Sequence, residues 1–114
     1  MKIISPTQHG YLDYVTVILL LVAPTLIGLP GIAGIIAYAL AGIHLTMTLA
    51  TDFPLGIAKL IPFSVHGWVE RAVGPTLVLL PFVLGFGTPA REFYTAVGIV
   101  IILVGLFTDY EQNQ

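Results

Sequence analysis

The sequence predicts an all-α membrane protein with four transmembrane helices, built from two tandem, parallel helical hairpins related by a pseudo-twofold axis along the membrane normal. Three observations carry this expectation. Only ten of 114 residues are charged and 57% are hydrophobic, whereas soluble domains carry about a quarter charged residues. A soluble chain this small has too high a surface-to-volume ratio to hide that much apolar surface. Four apolar runs, at about 11–29, 32–51, 67–86 and 92–108, each approach the ~20 residues with which a helix crosses ~30 Å of hydrocarbon. The runs are continuous rather than alternating, which argues against membrane strands. Finally, the chain repeats itself at an offset of 57 residues, half its length.

Taken in order, the first run opens on "HGYLDY", with His9 and Asp13 one helical turn apart and Ser5-Pro6 just ahead as a helix-start signal. This run holds an acid and is about twenty residues long, so no cleavable signal peptide is expected. "GLPG" at 28–31 separates it from the second run, which carries His44 and closes on Thr51-Asp52. The linker "TDFPLGIAKLIPFS" (51–64) is rich in Pro and Gly, as turns require, and Asp52 has the chemistry to cap a short interfacial helix over 53–60. Ser64 reads as the start signal of the third run, where "HGWVER" brings His66, Glu70 and Arg71. "GFGTPARE" (85–92) then leads into the fourth run, which ends on Thr108-Asp109.

Sliding the chain by 57 residues aligns His9 with His66, Gly10 with Gly67, Leu20 with Leu77, Pro24 with Pro81, Gly28 with Gly85, and Thr51-Asp52 with Thr108-Asp109. Asp13 meets Glu70. Chance pairs Leu with Ile in apolar sequence, but not these polar, Pro and Gly matches together. The chain therefore reads as one membrane domain, 1–114, with repeat 1 over 1–57 and repeat 2 over 58–114. Each repeat has two spans, so both cross the membrane in the same sense. Positions 9, 13, 20, 24 and 28 share an arc of about 100° at 3.6 residues per turn, the expected contact face between copies. Pro24 and Pro81 fall inside their helices, and Gly28 and Gly85, one turn later, either permit close approach or end the helices.

At "LVAPTLIGL" (21–29) and "LLPFVLGF" (79–86), with "HGYLDY" at the opening and "TDF" and "TDY" at the closings, the sequence resembles the SPW-repeat integral membrane family. The Ser-Pro-Trp positions of that family read Ala23-Pro24-Thr25 and Leu80-Pro81-Phe82 here. The resemblance implies four helices in a bacterial inner membrane and implies no established activity.

Topology gathers the polar residues. Helices 1 and 3 begin on the side where helices 2 and 4 end, so His9, Asp13, His66, Glu70, Arg71, Asp52 and Asp109 are expected near one face, with His44 about two turns deeper. An ionised side chain in mid-bilayer costs about 2.5–3.5 kcal/mol, so four carboxylates against one Arg need offsetting. Three readings follow. The residues form a structural or binding network in which Arg71 pairs with Asp13 or Glu70; or His9, Asp13, His66, Glu70, Asp52 and Asp109 hold divalent metal ions, matching the inventory of di-metal bundles; or the groups line a proton or ion path, which four helices serve only as a homo-oligomer. A haem held by two of the three His would need a large cavity. His44 faces Ile101 in the repeat alignment and so breaks the symmetry, with Thr48 one turn on as a hydrogen-bond partner. Tyr11, Tyr14, Trp68 and Tyr110 fit an interfacial aromatic belt.

The partner of such a chain is the lipid bilayer. Lys2 and Lys59 on the cluster side against Arg91 on the other place the termini in the cytoplasm. With no cysteine, thiolate sites are excluded, and a net charge of −2 offers no basic patch for nucleic acid. No nucleophile motif points to an enzyme.

Overall fold

A computed structural model describes residues 2–111. It is mostly helical, with α1 over Pro6–Leu26, α2 over Gly31–Ala50, α3 over Phe63–Leu84 and α4 over Ala90–Phe107. All four helices are long and apolar enough to cross a membrane. Two-residue strands β1 (Thr51–Asp52) and β2 (Ile61–Pro62) pair in parallel between α2 and α3.

The helices start earlier than the apolar runs suggested. Ser5 accepts a hydrogen bond from the Gln8 amide while the Gln8 side chain accepts from the Ser5 amide. This capping box satisfies two donors that the first turn leaves free, and Pro6 follows at a position where its missing N–H costs nothing. α1 therefore reaches back past His9. Ser64 does not cap α3: the helix begins one residue before it, behind Pro62, and has no side-chain cap. The β1–β2 pairing, not a cap, fixes that start. No helix forms over 53–60; the segment is turn and bend, and Asp52 lies in β1.

Gly28 (φ 67°) and Gly85 (φ 71°) occupy the left-handed region that ends a helix, and a Cβ at either would meet nothing within 4 Å. They are terminators, not close-approach positions. Pro24 and Pro81 do sit inside α1 and α3, as does Pro75. Of the expected contact stripe, His9, Asp13 and Leu20 and their counterparts His66, Glu70 and Leu77 are buried, Pro24 is half-buried against a buried Pro81, and Gly28 and Gly85 lie exposed beyond the helix ends.

α1 packs on α2, and α3 on α4. Small residues set the spacing: Ala33, Ala37 and Ala41 form a buried line on α2, and α3 meets α4 where a Cβ on Gly98 would stand 2.7 Å from the Gly74 carbonyl oxygen. Close backbone approach is how helices pack where no water drives them together. The Tyr94 hydroxyl ties α4 to α2 by donating to the Ala33 carbonyl. The outer surface is the reverse of a soluble protein, with Leu26, Ile43, Phe82 and Val83 all more than 60% exposed. So large an apolar exterior marks a surface made for a nonaqueous neighbour.

The two helix ends that carry the polar residues are tied by matching backbone ladders. Thr51 pairs with Ile61, and Ile4 forms a parallel bridge with Thr108, backed by hydrogen bonds from the Ile4 amide to the Phe107 carbonyl and from the Asp109 amide to the Ile4 carbonyl, each 2.9 Å. Positions 4 and 61, and 51 and 108, are separated by half the 114-residue length.

Candidate metal centre

His9, Asp13, His66 and Glu70 meet in the interior, each offering a donor atom within 4.8 Å of every other. His9 and His66 are fully buried and the two carboxylates are 3% exposed. The early helix starts produce this: His9 and Asp13 lie one turn apart on the buried face of α1, and His66 and Glu70 do the same on α3.

The geometry is reciprocal. His9 Nε2 lies 3.2 Å from Asp13 on its own helix and 2.9 Å from Glu70 on α3. His66 Nε2 lies 3.2 Å from Glu70 on its own helix and 3.0 Å from Asp13 on α1. Yet Nε2 of both imidazoles, Asp13 Oδ2 and Glu70 Oε1 are buried with no partner in hydrogen-bond alignment.

The outer nitrogens are accounted for. His9 Nδ1 is 2.9 Å from the Thr108 hydroxyl and His66 Nδ1 is 2.7 Å from the Thr51 hydroxyl. Each hydroxyl donates its own proton to the carbonyl one turn back, Thr108 to Val104 and Thr51 to Met47, both at 2.6 Å. A hydroxyl has one proton to give, so each Thr accepts from Nδ1–H. Both rings thus carry a proton outward on Nδ1 and turn Nε2 to the centre.

His44 approaches from α2, its Nε2 3.5 Å from Asp13 and 3.9 Å from Glu70. It is not satisfied by Thr48, whose hydroxyl is buried without a partner. Over the end of the cluster lies an aromatic lid. Phe53 stacks on Phe63 at 5.2 Å, Phe63 meets His9 edge-on, and the Tyr110 ring packs against both Phe63 and His9. Burial, with the nearby Glu70 carboxylate adding to it, pushes the Tyr110 hydroxyl above the ordinary phenol range. Gly10 and Gly67 make room for this layer: a Cβ there would stand 2.6 Å from Leu55 and from Tyr110 respectively.

Three residues of the sequence inventory stand elsewhere. Asp52 is exposed and Asp109 half-buried, and neither belongs to the group of converging donors. The threonine beside each one carries the contact. Arg71 pairs with neither Asp13 nor Glu70 among the described residues; its guanidinium lies over the rings of Trp68 and Tyr110, at 4.8 and 5.1 Å. Tyr11 and Trp68 are exposed, as a belt requires, while Tyr14 donates to the Leu55 carbonyl at 2.8 Å. The sequence did hold a signal for Thr51 and Thr108, the repeated Thr-Asp pair, but a carboxylate draws attention that a hydroxyl does not.

Comparison with family models, with curated proteins and with solved structures finds no match.

Proposed function

We propose that this chain is an integral membrane protein, a tandem duplication of a two-helix hairpin, that holds one divalent transition-metal ion between His9, Asp13, His66 and Glu70. The observation that carries the reading is the convergence of four buried residues, each with a donor atom within 4.8 Å of the others. His9 meets Asp13 Oδ1 and Glu70 Oε1 while His66 meets Asp13 Oδ2 and Glu70 Oε2. With one donor from each residue the set closes to within 4.8 Å, and an ion with bonds of about 2.0–2.2 Å would draw it in further. The charge also balances. Two buried carboxylates with neutral imidazoles carry −2, which a dication cancels without leaving a net charge in a low-dielectric interior. Thr51 and Thr108 fix ring orientation and tautomer, the usual work of groups behind metal-bound histidines.

Two imidazoles with two carboxylates suit manganese, iron, cobalt or zinc better than calcium or magnesium, which take oxygen ligands. A pair of ions would need the further acids that carboxylate-bridged bundles supply, and only Asp13 and Glu70 are within reach. Such an ion supplies a Lewis-acid or redox centre when bound.

The reciprocal contacts support the duplication, while the kinship to the SPW-repeat family rests on the sequence resemblance alone. The exposed apolar faces support insertion in a bilayer, and Lys2 and Lys59 against Arg91 favour a cytoplasmic position for the cluster end. The short distances also favour a second reading, a metal-free network of two imidazolium–carboxylate pairs. Elemental analysis of the detergent-purified chain separates them. The metal reading expects about one ion per chain, lost in His9→Ala and in Asp13→Asn and retained in Asp52→Asn. A metal-free, fully helical wild type that is destabilised by the same two substitutions establishes the network instead.

A further inference from the structure

Thr16 and His44 are polar residues whose equivalent positions in the other half of the chain hold Val73 and Ile101. Both border one small cavity beside the centre, together with Asp13, Glu70, Leu12 and Ile101. It leaves about 10 Å³ for a guest, about the least that holds a single water. Among the described residues, the two carboxylates of the centre line this cavity and the imidazoles of His9 and His66 do not. His44 Nε2 stands 3.5 Å from Asp13 and 3.9 Å from Glu70, beyond the about 2.7–3.2 Å of a direct N–H···O bond. Thr108 and Thr51 orient the rings of His9 and His66. Thr48 does no such work for His44, since its hydroxyl has no hydrogen-bond partner among the described residues. A metal-bound imidazole almost always has such a partner, so His44 is placed to meet a ligand of the ion rather than to be one.

We propose that the ion held by His9, Asp13, His66 and Glu70 keeps one further coordination position, turned toward His44, and that a single exchangeable water fills it. The inference rests on the metal reading and gives that centre an open side. The hydrogen-bonding groups match such a guest. A water on the ion spends an oxygen lone pair on the metal and has two protons left to give. The Thr16 hydroxyl donates its own proton to the Leu12 carbonyl at 2.8 Å, so its oxygen is left to accept. His44 Nε2 accepts the other proton when the ring carries its own on Nδ1. Charge selects a neutral guest. A dication with two carboxylates and neutral imidazoles is already balanced, and an added anion would leave a net charge in a low-dielectric interior. Size excludes anything much larger than water. Four protein ligands alone would make a closed, structural site, whereas a bound water makes one that presents an activated nucleophile or yields its place to a small substrate.

The full chain in nanodiscs, loaded with manganese and transferred into water enriched in the magnetic isotope of oxygen, tests this. Electron–nuclear double resonance at the manganese reads which nuclei are bound to it, and metal content is determined on the same samples. The wild type is expected to show one labelled oxygen and two imidazole nitrogens. Thr16→Val combined with His44→Ile installs the residues of the opposite half, and should keep the metal content while losing the labelled oxygen. His44→Gln, which retains a hydrogen-bonding end, should keep both. Three results overturn the proposal and leave the four-residue centre standing: bound manganese without labelled oxygen in the wild type, labelled oxygen unchanged by the double substitution, or a third imidazole nitrogen that His44→Ile removes. A wild type that binds no manganese removes the centre and the water with it.

Discussion

The two halves of the chain meet at the centre with nearly the same geometry and part company one layer away. His9 with Thr108 and His66 with Thr51 are matched in partner type, in burial and to within about 0.2 Å in their hydrogen bonds. Each Thr comes from the half opposite to the His it holds, so neither half completes the shell alone. At the next level inward, His44 faces Ile101 and the equivalence ends. The shared positions build the centre, and the unshared one gives it a direction. Under the proposed duplication, a repeated hairpin would supply paired donors at no cost in sequence variety, and a single departure would then distinguish one flank from the other.

The largest effects test the matched part. His9→Ala and His66→Ala should be equally damaging, because each leaves both carboxylates buried and short of a partner. A loss of about 3–5 kcal/mol is expected on breaking such a buried pair, read as a lowered unfolding midpoint in detergent together with loss of bound metal. A marked inequality between the two would break the equivalence of the halves. Thr51→Val and Thr108→Val keep shape and remove only the acceptor for Nδ1–H. Metal affinity should fall about 10–100-fold in each, the usual effect of losing a group behind a metal-bound histidine, measured by competition with a chelator. Unchanged affinity would deny the threonines their orienting role.

A different inequality sharpens the comparison at the helix crossings. α3 and α4 touch at Gly74 and Gly98, whereas the corresponding positions in the first half are Val17 and Ala41, both buried. Gly98→Ala pushes a methyl group against the Gly74 carbonyl and Val78 and should cost about 1–3 kcal/mol, while Ala41→Gly, in the roomier crossing, should cost about 1 kcal/mol through helix propensity alone. Thermal unfolding of the two variants checks the order. The smallest effects belong to Asp52→Asn and Asp109→Asn, which should stay within about 0.5 kcal/mol as surface changes do and leave metal content unaltered. Sensitivity at either would return these acids to the centre.

Much of this arrangement was legible before any coordinates. Composition and run length gave four helices, and the offset of 57 residues put His9 beside His66 in role. What stayed hidden was set by short-range and cross-half detail. The Ser5–Gln8 capping box extends α1 beyond its apolar run, and hydropathy does not register a cap. The choice of Thr over Asp at the helix ends depends on a two-residue strand pairing that turns Thr51 inward and Asp52 out, since neighbours on a strand face opposite sides. Charge alone pairs Arg71 with the nearest carboxylates, but a guanidinium on the rim keeps more of its hydration by stacking on Trp68 and Tyr110. Inventory alone groups Asp52 and Asp109 with the metal ligands in one of the three readings, and inventory carries no direction.

X-ray absorption at the metal edge, on metal-free chain titrated with cobalt, tests the central claim most directly. A single equivalent should bind, with nitrogen and oxygen ligands at about 2.0–2.2 Å, imidazole scattering from two histidines, and no second metal at the about 3.5–4 Å of paired ions. Cobalt that remains fully hydrated, or a spectrum unchanged by His66→Ala, would contradict it.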